Sequence, residues 1–68
     1  MVEIHTRDIN GTSSVMTLRW GDVYNHINTH INDLEEEEIL LVVYEGTCIY
    51  SQLGNEPIDW EDILGFFA

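Results

Sequence analysis

Apolar side chains recur along this chain in three rhythms, and each rhythm predicts an element. Val23, Ile27, Ile31 and Leu34 are spaced four, four and three apart, which places them on one face of a helix. Gly21-Asp22 stands just before them. Asp22 is the expected cap, its carboxylate accepting first-turn N–H groups, and the helix should end near Leu34. Trp60, Ile63, Leu64 and Phe67 follow the i, i+3, i+4, i+7 pattern of a second, shorter helix. Its start signal is complete: Asp59 as cap, Asp62 at the third helical position, and Ile58 with Ile63 as a hydrophobic staple. Ile39 to Tyr44 is different, a continuous apolar run too short for a helix and rich in β-branched residues. It predicts a strand buried on both faces. Glu45-Gly46-Thr47 then turns the chain, Cys48 to Leu53 returns beside that strand, and Gly54-Asn55-Glu56-Pro57 breaks it.

Near the N-terminus, two extended runs flank Asn10-Gly11, a hairpin signal. A two-residue turn would pair Ile4 with Thr17 and mix polar with apolar positions. A three-residue loop, Ile9-Asn10-Gly11 with Gly11 left-handed, pairs Ile4 with Met16 and Val2 with Leu18. That register gathers Val2, Ile4, Met16, Leu18 and Trp20 on one face, and it is the one expected. The order β-β-α-β-β-α describes a single small acidic α+β domain over residues 1–68, a four-stranded antiparallel sheet with two helices on one face. Two short helices cover one face, whereas the Ile39 to Tyr44 strand asks for two dry faces, and Phe66 falls off the helical stripe. Either the second face and the Phe66-Phe67 end pack against a protein partner, a second copy included, or a few apolar residues are exposed, as is common.

Composition sharpens this outline. Apolar residues make up 44% of the 68, ordinary for a folded domain, yet 13 Asp and Glu stand against two Arg and no Lys, a net charge of −11. Without lysine there is no Schiff-base chemistry and no GxxxxGK[ST] phosphate loop. Phosphate backbones and anionic lipid surfaces would be repelled, which excludes direct nucleic-acid binding and membrane docking as expected roles. Cys48 is alone, so there is no disulfide or CxxC pair, and beside Ile49 it reads as a buried structural thiol. The first residues lack the basic-then-apolar pattern of a signal peptide, and no apolar run is long enough to span a bilayer. A cytoplasmic location is expected, in the host cell if the chain is phage-encoded. Ser13, Ser14 and Ser51 have no adjacent base signal, Asp33 to Glu38 lacks a calcium-loop pattern, and the domain is small for a substrate pocket. Neither catalytic residues nor a cofactor are expected.

The candidate chemistry therefore lies in the acids. Asp59, Glu61 and Asp62 fall in the first turn of a helix, where the dipole favours carboxylates. Asp33, Glu35, Glu36, Glu37 and Glu38 sit at or beyond the C-terminal end of the other helix, where the dipole disfavours them and they repel one another. A local rule broken without visible compensation points to function. Carboxylates one helical turn apart lie about 5–6 Å from each other, near the spacing of phosphates along a strand. Such a patch fits a protein target with a basic groove. In size and charge the chain is similar to the small acidic inhibitors made by bacteriophages, a similarity of composition that implies a nucleic-acid mimic of the anti-CRISPR or anti-restriction kind. Tyr24, beside the apolar stripe of the first helix, is the aromatic most suited to a partner contact. The alternative is a small adaptor bound through the open sheet face and the Phe66-Phe67 end. A weaker candidate is a metal set, Asp22, His26, His30 and Asp33, with the two histidines at i and i+4 on one helical side.

Overall fold

In the computed structural model, which describes all residues from Met1 to Ala68, β1 (Val2–Arg7) and β2 (Ser13–Leu18) pair with Val2 opposite Leu18 and Ile4 opposite Met16. This is the register of the three-residue loop. Gly11 N–H donates to the Asp8 carbonyl and Asp8 N–H to the Thr12 carbonyl, each at 3.0 Å. Gly11 takes a φ of +85°, the left-handed geometry the loop requires. Asp8 fixes the turn from the side: its Oδ1 accepts from the N–H groups of Asn10 and Thr12, both at 2.9 Å.

β3 (Glu38–Tyr44) pairs with β1, and β4 (Thr47–Ser51) pairs with β3, so the sheet order is β2-β1-β3-β4 and every neighbour is antiparallel. Bulges interrupt the β1–β3 ladder between His5 and Thr6 and the β3–β4 ladder between Val42 and Val43. Glu45 and Gly46, at φ +50° and +78°, are the two central residues of the tight turn between β3 and β4. Only glycine adopts that region without strain, so Gly46→Ala should lower stability by about 1–2 kcal/mol. Thermal unfolding followed by circular dichroism would show this as a melting temperature several degrees lower.

The first helix, α1 (Trp20–Leu34), starts earlier than the sequence suggests. Its cap is Arg19, which makes no side-chain cap bond, and Asp22 lies within the first turn instead of capping it. Trp20 therefore opens α1 and does not extend the β2 face. Its ring packs against Tyr44 at 4.7 Å and Phe67 at 4.6 Å between centroids. Aromatic packing of this kind offsets the absent cap, which is worth about 1 kcal/mol, and Asp22 still faces the positive end of the helix dipole. The second helix, α2 (Trp60–Phe67), begins as expected: Asp59 and Asp62 form a reciprocal capping box.

Both helices lie on one face of the sheet. Val2 and Ile4 from β1 and Ile39 and Val42 from β3 pack there with Val23, Ile27 and Leu34 of α1 and Trp60, Ile63 and Phe67 of α2. The other face is uncovered. Cross-strand rows place His5 between Val15 and Leu41, and Glu3 between Thr17 and Val43. The expectation that the Ile39 to Tyr44 strand is dry on both sides is thus corrected. Ile39 and Val42 are buried, whereas Leu40, Leu41, Val43 and Tyr44 are only partly covered; Leu41 and Val43 lie in the open-face rows of His5 and Glu3 with no second layer over them, and Tyr44 packs on Trp20. Cys48 is also corrected. It sits on the edge strand β4 opposite Val43, exposed, its thiol donating to the Tyr50 carbonyl at 3.3 Å. No helix is long and apolar enough to cross a membrane.

Candidate functional site

The glutamate run divides in two once the chain is folded. After α1 the backbone tightens, with Glu35 N–H donating to the Ile31 carbonyl at 3.0 Å and Glu37 N–H to that of Leu34 at 2.8 Å. Glu37 is half-buried, and its Oε1 accepts from the Thr6 hydroxyl at 3.1 Å. Thr6 is a buried polar residue of the core face and needs an acceptor, which Glu37 supplies. The Glu37 carbonyl in turn accepts the indole N–H of Trp60 at 3.0 Å, tying the loop to α2. Glu38 is the first residue of β3 and stands opposite Arg7. Its carboxylate accepts from Arg7 Nη2 at 2.7 Å and from Gln52 Nε2.

These bonds overturn the expectation that the whole run breaks local rules without compensation. Glu37 and Glu38 are structural. The Arg7 hydrogen bond first, and the Gln52 bond after it, hold the Glu38 carboxyl below its ordinary value of 4.5. A carboxyl whose folded pKa is depressed stabilises the fold above its unfolded value, and that contribution disappears as pH falls through the lower folded value. Glu38→Gln should therefore flatten the decline of stability as pH drops below 4.5. Urea denaturation across an acid pH series, read against the parent chain, checks this.

Glu35, Glu36 and Asp33 remain exposed, with no hydrogen-bond or ion-pair partner of their carboxylates. The C-terminal end of α1 meets the N-terminal end of α2 in a shallow groove of about 170 Å³, lined by Ile31, Glu35, Asp59, Trp60 and Glu61. No basic side chain lines it. Asp59 Oδ1 accepts the Asp62 N–H at 2.9 Å and Asp62 Oδ2 accepts the Asp59 N–H at 3.2 Å, so the capping box fixes the Asp59 carboxylate in the groove wall. The cations are elsewhere. Arg7 is held by Glu38 at 2.7 Å, the N-terminal ammonium by Glu45 at 2.8 Å, and Arg19 pairs with no carboxylate. Thus Glu35, Asp59 and Glu61 are brought together, with Glu36 and Asp33 beside Glu35 in the chain.

Other candidates are not assembled. Tyr24 is exposed, but it lies seven residues before Ile31, about 10 Å along the helix axis from the groove. The His26 and His30 rings approach to 4.7 Å between centroids, yet no group of three or more His, Cys, Asp or Glu side chains converges. Asp22 and Asp33 are separated by about 16 Å of helix rise, too far to share one ion. His5 is on the open sheet face, its Nε2 3.3 Å from Glu3 Oε1.

A second concavity has no counterpart in the sequence reading. Ile49 and Tyr50 of β4 and Ile58, Ile63 and Phe66 face one another across an apolar groove of about 230 Å³, with Asp62 on its rim. The β3–β4 bulge puts the successive residues Ile49 and Tyr50 along the same groove, which alternation along a regular strand would not indicate. No family model matches the chain, and neither a curated protein nor a solved structure is significantly similar to it.

Proposed function

We propose that this protein is an inhibitory binding protein that sets its acidic α1–α2 end into a cationic site of a nucleic-acid-processing complex, in the manner of a phage counter-defence factor. One observation carries the reading: Glu35, Asp59 and Glu61 share a groove that no basic side chain enters, while Arg7 and the N-terminal ammonium are already paired. The negative potential of that end is therefore uncancelled locally. It would draw a basic groove by long-range attraction and compete there with phosphates. The acids that act are Asp33, Glu35, Glu36 and Glu61, with Asp59 and Asp62 held in place by the capping box. Glu37 and Glu38 support the fold. The protein does no catalysis in this reading and needs no cofactor. Binding that weakens steeply with salt and with added duplex DNA is the test.

A second reading rests on Phe66. Phe67 is buried, but Phe66 is 56% exposed at the mouth of the apolar groove. As an adaptor, the protein would bind through that groove, indifferent to salt and sensitive to Phe66→Ser.

A further inference from the structure

Helix α2 is a ridge between the two concavities. On one side Asp59 and Glu61 line the acidic groove, and on the other Asp62, Ile63 and Phe66 line the apolar one. The apolar groove is preformed. Phe66 stands 5.8 Å from Trp20 and 5.1 Å from Phe67 between ring centroids, which fixes one wall. Tyr50 donates its hydroxyl to the Glu56 carbonyl at 2.9 Å, which fixes the other. Phe66 and Ile49 are nevertheless exposed. Asp62 is the one charged residue of the lining, and its carboxylate meets no cation. Its Oδ2 accepts the Asp59 N–H, and Oδ1 has no hydrogen-bond partner.

Size and charge together select what fits there. At about 230 Å³ the groove is smaller than the roughly 300 Å³ at which pockets for drug-sized ligands begin, so it suits one large side chain. A second copy would bring −11 against −11, with its Arg7 already held by Glu38. Nucleic acid and anionic lipid are repelled in the same way. A basic segment of a partner protein is attracted instead, and its apolar residues have a place to go. We propose that the apolar groove takes one large apolar side chain of such a segment, whose flanking Arg or Lys residues meet Asp62 and Glu61. A helix is about 10 Å across, so three or four residues of extended chain span the ridge from anchor to cation. The proposal rests on the acidic-docking reading and adds an anchor to it. Charge alone recognises any basic surface, whereas the anchor selects one that carries an apolar residue beside its cations.

Three labelled synthetic peptides, titrated with the full chain at low and moderate salt and followed by fluorescence anisotropy, test the proposal. The first is Arg-Arg-Ser-Gly-Ser-Phe-Ser-Gly-Ser-Arg-Arg. The second has Ser in place of Phe, and the third has Gln in place of every Arg. The first should bind about tenfold more tightly than the second. Both affinities should fall as salt rises, while their ratio holds, because salt screens the charges and not the apolar contact. The third should show no measurable binding. Phe66→Ser should erase the preference for the first peptide, and Ile49→Thr on the opposite wall should reduce it, with circular dichroism confirming that each variant is folded. Equal affinity of the parent chain for the first two peptides overturns the anchor and leaves acidic docking standing. A preference that both variants leave unchanged, or binding of the third peptide as tight as that of the first, also overturns the proposal. Failure of both Arg peptides to bind at low salt overturns it together with the reading beneath it.

Discussion

Trp60→Ala should remove about half of the domain's folding stability at 25 °C. The ring is 4% exposed, lies between α1, α2 and the sheet in the core cluster, and donates its N–H to the Glu37 carbonyl. Truncating a buried tryptophan costs about 3–5 kcal/mol, and a domain this small has roughly 3–10 kcal/mol in all. Trp60→Phe separates the two contributions. It keeps most of the packing but leaves the Glu37 carbonyl without its donor, at a cost of about 1–3 kcal/mol. Urea denaturation monitored by circular dichroism should rank parent, Phe and Ala in that order. Equal midpoints for parent and Trp60→Ala would mean that α2 is not docked on the core as described.

The same hydrogen bond matters for the acidic end, since it ties the Glu37 loop to α2 and so fixes Glu35 against Asp59 and Glu61. The second large effect is therefore on binding. The combined change Asp33→Asn, Glu35→Gln, Glu36→Gln and Glu61→Gln reduces the net charge from −11 to −7 and removes no internal hydrogen bond. Each lost charge pair is worth about 1 kcal/mol in water, so affinity for a basic groove should fall by about a thousandfold. The melting temperature should hold or rise, because the removed carboxylates repel one another. Glu37→Gln with Glu38→Gln is the informative counterpart. It disturbs the Thr6 and Arg7 contacts and lowers stability, yet leaves the groove acids in place and binding largely intact.

How much of this is legible in the sequence depends on whether the deciding contact is local. The Ile9-Asn10-Gly11 loop was legible because face matching permits a single register, and Asp8 fixes the loop geometry from within. The α2 start was legible because the Asp59–Asp62 box is a four-residue signal. The start of α1 was not, since Trp20 is drawn into the helix by Tyr44 and Phe67, far along the chain. Glu37 and Glu38 read as uncompensated for the same reason. Their partners, Thr6 and Arg7, lie 31 residues away and become neighbours only when β3 pairs with β1. Position along the chain marked Glu35 and Glu61 as acidic but gave no hint that they share a groove. The apolar neighbour Ile49 suggests burial for Cys48, but its place on the edge strand opposite Val43, on the open sheet face, decides its exposure.

The acidic-groove reading stands or falls on one binding measurement. The immobilised protein captures partners from lysate at low and moderate salt, with and without excess duplex DNA, beside the four-acid variant. The expected result is a nucleic-acid-processing partner that is released by moderate salt, displaced by the DNA and not retained by the variant. A partner held equally by parent and variant, and indifferent to salt and DNA, would contradict it and leave the Phe66 groove as the binding surface.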